Sequence, residues 1–413
     1  MNFFYNLLIS LFNSMLPVIG SISPKLSLFV KGRKTVFEVL EKRIQSDDQV
    51  IWFHCASLGE YEQGVPVMEI LKKKYMDHTL LVTFFSPSGY EVKKNSTLAD
   101  VIVYLPLDTK ANARKFVKLV QPKLAVFVKY EFWPNYLKEL NNKSIPIVII
   151  SAVFRKDQAF FKWYGGFMRN ALRKVGHFFV QDTISQKLLN QVGFNNVTIS
   201  GDTRFDRVSH QIEMDNHVDF ISEFIDDRLC VVIGSSWLED EEIFVDFVNQ
   251  ASGDLCFIIA PHEIKDNSIQ ALKQKLTKKT ILFSDKEEKT LNDYQVFIMN
   301  TIGYLSRVYS YADIAYVGGA MGTSGLHNIL EPATFGIPIV IGQNFEKFRE
   351  AKQLQKLAGL FSISSASEFS DVMNRLIDNK KFRQQTGMIA GHFINSNTGA
   401  TDMIVEYLHE KIK

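Results

Sequence analysis

Two carboxylates of the N-terminal half each follow a predicted strand, a position from which a side chain can act on a bound substrate. Glu60 comes shortly after the predicted strand 50–56, and Glu131 shortly after the predicted strand 124–128. A carboxylate there can serve as a general base that removes the proton from a hydroxyl acceptor. Ser57 and Glu60 also have the S-x-x-E spacing of a capping box, which needs no chemistry. Spacing alone therefore leaves both roles of Glu60 open.

Small hydroxyl residues and one arginine follow two further predicted strands of the same half. Ser86 and Ser88 come after the strand 79–85, where they could hold a sugar or cap the next helix. Arg155 comes after the strand 145–150 and could grip an acidic group with a forked pair of hydrogen bonds. The alternative for Arg155 is a solvated side chain, which is the more common state of a lone arginine.

A glycine-rich loop between the predicted strands 313–317 and 338–341 indicates a ligand site in the C-terminal half. Its glycines let the backbone approach a ligand, and a helix beginning near Leu326 would point unpaired N–H groups into the same space. That combination favours a phosphate group. Glu331 could then accept hydrogen bonds from ribose hydroxyls. Alternatively, the glycines only form tight turns and Glu331 only interacts with the helix dipole.

Other polar residues of this half also follow predicted strands. Ser235 and Ser236 come after the strand 229–233 and are expected to open a helix, which makes a second place for phosphate. His262 comes after the next strand and could contact a base or phosphate, or simply begin a helix. Asn300 is expected to be a helix N-cap.

Metal and serine-nucleophile chemistry lack a sequence signature. His54, His262 and His327 do not have metal-ligand spacing, and the chain has neither an HExxH motif nor a G-x-S-x-G elbow. The sequence therefore predicts no protein-bound metal.

Short apolar runs alternate with helical patterns along most of the 413 residues, which predicts parallel sheets covered on both faces. Seven strands are predicted between residues 50 and 199. After the polar stretch 202–211, which we expect to be a linker, six more are predicted between residues 229 and 341. The length exceeds what one hydrophobic core usually supports, so two domains are expected. Two such sheets facing each other would form a cleft at the carboxyl ends of their strands.

The composition narrows the class of protein. A formal net charge of +2 argues against a large nucleic-acid surface. Three cysteines without CxxC spacing indicate reduced, buried thiols and a cytoplasmic compartment.

The first 24 residues contain no charged side chain, and their apolar residues recur with helical spacing. The segment is expected to associate with a membrane, either in the interface or as a single span, although it lacks a basic polar face. The basic residues Lys25, Lys31, Arg33 and Lys34 follow and would keep the remaining chain cytoplasmic. A purely intramolecular helix and a signal peptide are the alternatives.

Several stretches in order resemble the 3-deoxy-D-manno-octulosonic acid (Kdo) transferases of lipopolysaccharide synthesis. They are HCASLGEYEQGVP (54–66), TFFSPSGYE (83–91), YLPLDT (104–109), YEFWPN (130–135), SAVFR (151–155), GDTRFD (201–206), GSSWLEDEE (234–242), NTIGYL (300–305) and ADIAYVGGAMGTSGLHNILEPATFGIP (312–338). Lys129 replaces the first glutamate of the family's ETELWP motif, and Glu131 matches the second. The family's APRHPER stretch is reduced here to residues 260–264, with loss of an arginine.

The resemblance implies a GT-B glycosyltransferase, an α/β protein with two Rossmann-like doubly wound domains facing a central cleft. Residues 1–34 would be the membrane-associated segment, 35–205 the acceptor domain and 206–413 the domain that binds the donor CMP-Kdo. Glu60 would be the general base, and Glu131 would be a second catalytic carboxylate. Helix N-termini at residues 235–236 and 325–328 would stabilise the departing phosphate.

The resemblance also assigns the remaining candidates. The implied donor residues are Ser235, Ser236, His262, Asn300, Gly303, Gly318, Gly319, Gly325, His327, Asn328 and Glu331. The implied acceptor or Kdo residues are Ser57, Gly59, Ser86, Ser88 and Arg155. The acceptor would be a lipid A precursor at the cytoplasmic side of the inner membrane, and the inverting reaction would need no cofactor or metal. A transferase or epimerase that uses a UDP-sugar, or a non-enzymatic nucleotide-binding protein, is the alternative.

Overall fold

The computed structural model describes residues 2–19 and 23–412 and divides the chain into two compact units. The first unit comprises the chain up to Arg207 together with the stretch from Thr398 onward, and the second comprises Val208 to Asn397. Each unit contains one seven-stranded sheet, and its strand pairs are parallel. The predicted pair of parallel α/β domains is therefore confirmed.

The first sheet has its topological switch next to its first strand. Its strands are β1 (Gln49–Cys55), β2 (His78–Phe84), β3 (Val101–Tyr104), β4 (Leu124–Val128), β5 (Ile147–Ala152), β6 (His177–Val180) and β7 (Val197–Ile199). They lie in the order β3-β2-β1-β4-β5-β6-β7. Strands β2 and β3 lie on one side of β1, and strands β4 to β7 lie on the other side. Open α/β sheets bind ligands at this kind of reversal, outside the carboxyl ends of the strands.

Helices cover both faces of this sheet. The helices of the chain up to residue 210 are α1 (Asn2–Ile19), α2 (Pro24–Lys34), α3 (Val36–Arg43), α4 (Leu58–Lys74), α5 (Pro87–Lys93), α6 (Lys110–Val120), α7 (Pro134–Asn142), α8 (Gly166–Leu172), α9 (Thr183–Gln191) and α10 (Thr203–His210). The chain makes a short 3₁₀ turn at Ala159–Phe161 before α8, so residues 158–174 do not form one continuous helix. A Cβ atom on Gly165 would lie 2.0 Å from the carbonyl oxygen of Ala159, so this reversal needs glycine.

The second sheet repeats the arrangement. Its strands are β8 (Leu229–Ser236), β9 (Leu255–Pro261), β10 (Thr280–Leu282), β11 (Val296–Ile298), β12 (Ile314–Val317), β13 (Ile339–Gly342) and β14 (Leu360–Ile363). They lie in the order β10-β11-β9-β8-β12-β13-β14, so the reversal falls between β8 and β12. Strand β14 was not predicted from the sequence. It pairs with β13 as an edge strand, and its central residues are only half buried.

Nine more helices follow, of which the first eight lie in the second unit and the last lies in the first unit. They are α11 (Asp219–Ile225), α12 (Leu238–Gln250), α13 (Asp266–Lys275), α14 (Leu305–Val308), α15 (Leu330–Thr334), α16 (Arg349–Lys356), α17 (Ala366–Asp378), α18 (Lys380–Asn395) and α19 (Ala400–Ile412). The sequence assigned α19 to the second domain, but Ile404 and Leu408 pack in the core of the first unit. The predicted linker at 202–211 is instead mostly α10, whose Asp206 carboxylate accepts a hydrogen bond from Thr401 N at 2.8 Å.

Helix α1 rests on the first unit through a small part of its surface. The Tyr5 hydroxyl donates a hydrogen bond to Asp108 Oδ2 at 2.7 Å, and the Tyr5 ring lies 5.4 Å from that of Phe167. Leu16 is buried against Leu107. The described part of the chain contains no helix with the length and apolar character needed to cross a membrane.

Arg33 has a different role from the basic flank that the sequence suggests. It is largely buried, and its guanidinium donates hydrogen bonds to the carbonyl oxygens of Phe85 (2.7 Å) and Leu105 (3.0 Å). The same group lies 3.6 Å from the centroid of the Phe29 ring. Burial lowers the pKa of Arg33 to about 9. Arg33 therefore ties α2 to the loops that follow β2 and β3.

Candidate active site

Glu60 is a buried carboxylate at the junction of β1 and α4. It is the third residue of α4, and only 6% of it is exposed. Its Oε2 atom accepts hydrogen bonds from the backbone N–H groups of Ala56 and of Ser57, the latter at 3.1 Å. The capping role is therefore confirmed. Among the described residues no donor reaches Oε1, which leaves that oxygen able to accept a hydrogen bond from a substrate.

The environment of Glu60 favours its neutral form. Burial, and then the charge of Glu131, raise its pKa to about 7, although the two backbone hydrogen bonds and Lys129 act in the opposite direction. A carboxylate with this pKa is partly ionised at neutral pH and still basic enough to take a proton from a hydroxyl group in a transition state.

Glu131 follows β4, so the two carboxylates come after the two strands that flank the reversal of the first sheet. Its Oε2 atom is 3.6 Å from Nε2 of the buried His54. Trp133 donates its indole N–H to the same Nε2 atom at 3.0 Å. Because Nε2 accepts that bond, the proton of a neutral His54 is on Nδ1, which faces Thr83 Oγ1 at 2.9 Å. His54 thus fixes the segment that carries Glu131.

The acceptor candidates after β1 and β2 are adjacent. Ser86 N donates a hydrogen bond to Ala56 O at 2.7 Å, which joins the two loops. Ser86 Oγ accepts from Ser88 N at 3.3 Å, so the capping interpretation of Ser86 is confirmed. Gly59 is exposed, and no atom lies within 4 Å of the position of an added Cβ. These loops surround the cap of α4.

Arg155 is an exposed residue with weak local interactions. Its guanidinium carbon lies 5.9 Å from the centroid of the Tyr130 ring, and its Nε atom lies 3.9 Å from Asp157. Tyr130 precedes Glu131 in sequence, so Arg155 is beside the segment of the second carboxylate. The ion pair with Asp157 is long and both side chains are exposed, so it restrains Arg155 only weakly.

Asp240 organises the corresponding site in the second unit, and sequence reasoning missed it. The carboxylate is fully buried, with Oδ2 accepting from Trp237 N at 2.8 Å and from Gly319 N at 2.9 Å. Its Oδ1 accepts from the Tyr316 hydroxyl at 2.6 Å. Asp240 thereby joins the loop after β8 to the loop after β12. The available signal was its position, because Asp240 is the third residue of α12 just as Glu60 is of α4.

Two glycines after β12 are required by close backbone contacts. A Cβ atom on Gly318 would lie 2.4 Å from the carbonyl oxygen of Ser235. Gly319 has a φ of +93°, and a Cβ there would lie 2.2 Å from Gly325 O. Ser235 itself has a φ of +54°, which is a strained value for a residue with a side chain. The glycines therefore allow the strand ends at the second reversal to touch.

The two expected helices form, but each begins later than the sequence predicts. Ser235 and Ser236 end β8, and the following helix begins at Leu238. The stretch 325–328 is irregular and precedes α15, which is only five residues long and begins at Leu330 rather than near Leu326. The prediction failed because glycines and close contacts hold this loop in a nonhelical path.

Three other donor candidates also have clear positions. Glu331 is the second residue of α15, and Oε1 accepts a hydrogen bond from Asn328 Nδ2 at 3.1 Å. Asn300 is not a helix N-cap, because its Oδ1 atom accepts from Ser284 N at 3.1 Å and α14 begins only at Leu305.

Aromatic rings form a stack beside the glycine loop. The ring of His262 lies 4.4 Å from the rings of both Trp237 and His327, and Trp237 Nε1 donates to His327 Nε2 at 3.1 Å. Burial, and then the charge of His262, lower the pKa of His327 to about 4. A cavity of about 170 Å³ lies next to the stack and is lined by Ser235, His262 and Gly303. This arrangement can hold a flat ring and neighbouring polar groups.

Residues 2–19 and 23–412 provide no group of three or more His, Cys, Asp or Glu side chains that could hold a metal ion. The three cysteines are free and buried.

Comparison with known proteins identifies the class of enzyme. The family model described as 3-deoxy-D-manno-octulosonic-acid transferase (kdotransferase) matches residues 31–207. The 3-deoxy-D-manno-octulosonic acid transferase of Haemophilus influenzae is 27% identical over 374 residues, which cover 87% of this chain and 86% of that protein. The chain is a glycosyltransferase related to the Kdo transferases. The resemblance inferred from the ordered motifs is thereby confirmed.

A longer relative has an additional part. A bifunctional glycosyltransferase/methyltransferase of Fusobacterium nucleatum is 26% identical over 86% of this chain, but the match covers only 57% of that protein. The present chain therefore matches little more than half the length of the Fusobacterium protein.

Solved structures share the fold at low sequence identity. The UDP-GlcNAc 2-epimerase of Neisseria meningitidis has a TM-score of 0.62 and 14% identity, with 87% of this chain and all of that chain covered. MurG of Acinetobacter baumannii has a TM-score of 0.55 and 12% identity, with 88% and 99% covered. The two parallel α/β domains of this Kdo transferase relative are therefore GT-B-like.

Proposed function

We propose that this protein transfers Kdo from CMP-Kdo to a primary hydroxyl group of a lipid A precursor, with inversion at the anomeric carbon and without a metal ion. Similarity to Kdo transferases over most of the chain supports the sugar that is transferred. The observation that carries the chemistry is Glu60, a buried carboxylate with one oxygen held by the α4 cap and a pKa of about 7.

In the proposed reaction Glu60 accepts the proton of the acceptor hydroxyl through Oε1. The resulting oxygen nucleophile forms a bond to the anomeric carbon of Kdo, and the bond from that carbon to the phosphate oxygen of CMP breaks. The cap bonds from Ala56 and Ser57 hold the carboxylate in position throughout. Glu131 raises the proton affinity of Glu60, which makes it a stronger base when it is ionised.

The second unit would hold the departing CMP. Ser236 supports this role, because its hydroxyl is buried without a hydrogen-bond partner among the described residues, beside Gly318. Such a group can donate to a phosphate oxygen. The stack formed by Trp237, His262 and His327 offers a surface for the cytosine ring. Glu331 would accept from the ribose hydroxyls.

The proposed setting is the cytoplasmic side of the inner membrane, where a lipid acceptor is present. Exposed apolar side chains of α1 support association with the bilayer surface. They include Phe3, Phe4, Leu7, Leu8 and Leu11, each more than half exposed.

The decisive experiment is mass spectrometry of the lipid product after incubation of the full chain with CMP-Kdo and a lipid A precursor. The expected result is a product whose mass has increased by Kdo. Calorimetry with CMP and UDP accompanies it, and tighter binding of CMP is expected. Preference for UDP and an unmodified lipid would instead indicate an enzyme that uses a UDP-sugar.

A further inference from the structure

A cavity in the first unit takes no part in the proposed reaction. It has a volume of about 340 Å³ and lies where α1, α6, α7 and α8 meet. Its lining includes the lysines Lys110, Lys138 and Lys174 together with the amides of Asn6 and Asn135. The three lysines are cations, which is the chemistry that binds an anion. The Asn135 amide instead holds the wall together, because its two N–H groups are donated to Asn6 Oδ1 and to Asp108 O.

The positive charge around this cavity is not neutralised within the described chain. None of Lys110, Lys138, Arg173 and Lys174 makes an ion pair with a described carboxylate, whereas many other lysines of the protein do. Burial lowers the pKa of Lys174, and the charges of Lys138 and Arg173 lower it further. The cations therefore repel one another, and a bound anion would relieve this repulsion.

The wall formed by α1 connects the cavity to an exposed apolar surface. Tyr5 and Asn6 face the domain, since Tyr5 bonds to Asp108 and Asn135 Nδ2 donates to Asn6 Oδ1 at 2.9 Å. On the same helix Phe3 is 71% exposed and Leu8 is 66% exposed. A ligand that combines an anionic group with long apolar chains would match both features at once.

We propose that this cavity binds the phosphate group of an anionic phospholipid while the exposed side of α1 lies among the acyl chains of the same leaflet. An amphipathic helix usually carries its own basic face, but α1 contains no charged residue. Here α6, α7 and the end of α8 supply the basic groups from the neighbouring fold. The site deepens the membrane association proposed above, and it does not depend on the identity of the sugar donor.

Flotation of the full chain with vesicles tests the site. Wild-type protein should bind phosphatidylcholine vesicles that contain phosphatidylglycerol more tightly than pure phosphatidylcholine vesicles. The double variant Lys138→Gln with Lys174→Gln should lose roughly 25-fold in affinity for the anionic vesicles, because one basic residue near such a surface contributes about fivefold. The matched control is Lys118→Gln with Lys143→Gln, which removes the same charge from exposed positions outside the cavity.

The outcomes separate the site from general electrostatics and from the sugar-transfer reaction. Equal losses in the two double variants, or equal binding of wild type to both kinds of vesicle, would overturn the proposal. The proposal would also be overturned if inorganic phosphate raised the thermal midpoint of the wild-type protein while the cavity variant bound vesicles as tightly as wild type. That result would indicate a site for a free anion. Kdo transfer to a detergent-dispersed acceptor should be unchanged in the cavity variant. A complete lack of transfer by wild type would refute the proposed function and leave the vesicle result intact.

Discussion

Replacement of Glu60 by glutamine gives the sharpest test of the proposed chemistry. Glutamine has the same length, and its side-chain oxygen can accept the N–H groups of Ala56 and Ser57, so α4 should remain capped. It cannot accept the proton of an acceptor hydroxyl. Loss of a general base typically costs about 10²- to 10⁴-fold in rate, and the turnover number should fall by that amount.

The pH dependence follows from the pKa of about 7. Only the ionised form of Glu60 can act as base, so kcat/KM should rise roughly tenfold between pH 6 and pH 8 for the wild type. This rise should be absent from the residual activity of the Glu60→Gln variant. The assay is initial-rate Kdo transfer from CMP-Kdo to a lipid A precursor across that range.

Stability should change with pH in the opposite direction from activity. Folding raises the pKa of Glu60 from 4.5 to about 7, so the stability associated with its protonated form is fully present below pH 4.5 and is lost as pH rises through 7. The shift corresponds to a loss on the order of 3 kcal/mol. The thermal midpoint of the first unit should therefore fall less with rising pH in Glu60→Gln than in wild type.

The control is Glu69→Gln, which removes an exposed carboxylate from the same helix. It should retain wild-type turnover and the wild-type pH profile. Unchanged turnover in Glu60→Gln, or an equal loss in both variants, would refute the role of Glu60 as base.

Three further predictions concern two residues of the second unit and the independence of the reaction from metal ions. Asp240→Asn should lower the free energy of unfolding by about 1–3 kcal/mol, and with it the thermal midpoint, because the charged hydrogen bond to Gly319 N is lost. The same variant should bind CMP more weakly in calorimetry, and unchanged CMP affinity would contradict the positioning role of Asp240. Gly318→Ala should destabilise the fold in thermal unfolding, since its Cβ would meet Ser235 O at 2.4 Å, whereas Gly59→Ala should be tolerated. Kdo transfer should continue in excess chelator, and its loss would contradict a metal-independent reaction.

The sequence was most informative where the pattern is local. The sequence predicts thirteen of the described strands, because buried parallel strands are short, continuous apolar runs such as those at 124–128 and 314–317. The missed strand, Leu360–Ile363, is half-buried at the edge of its sheet and carries a weaker signal. The positions of Glu60 and the glycine loop were predictable for the same reason, since both lie at a visible transition from strand to helix.

What failed depends on contacts between distant residues. The helix expected near Leu326 begins only at Leu330, because the preceding loop is held by contacts with distant residues: Gly319 N donates to Asp240 Oδ2, and Gly318 packs against Ser235 O. Helix α19 joins the first unit only because its apolar side fits that core. Asp240 was overlooked because its partner Gly319 lies 79 residues away along the chain.

The sequence by itself determined the alternation of strands and helices, the resemblance to the Kdo transferases, and the presence of a carboxylate after the first strand. Only the tertiary structure decided that this carboxylate has a raised pKa, because the pKa depends on burial and on Glu131 from another strand. It likewise decided that Lys110, Lys138 and Lys174 share one cavity, although they belong to three different parts of the chain. Local propensity determines elements, whereas dielectric environment and charge density depend on which elements pack together.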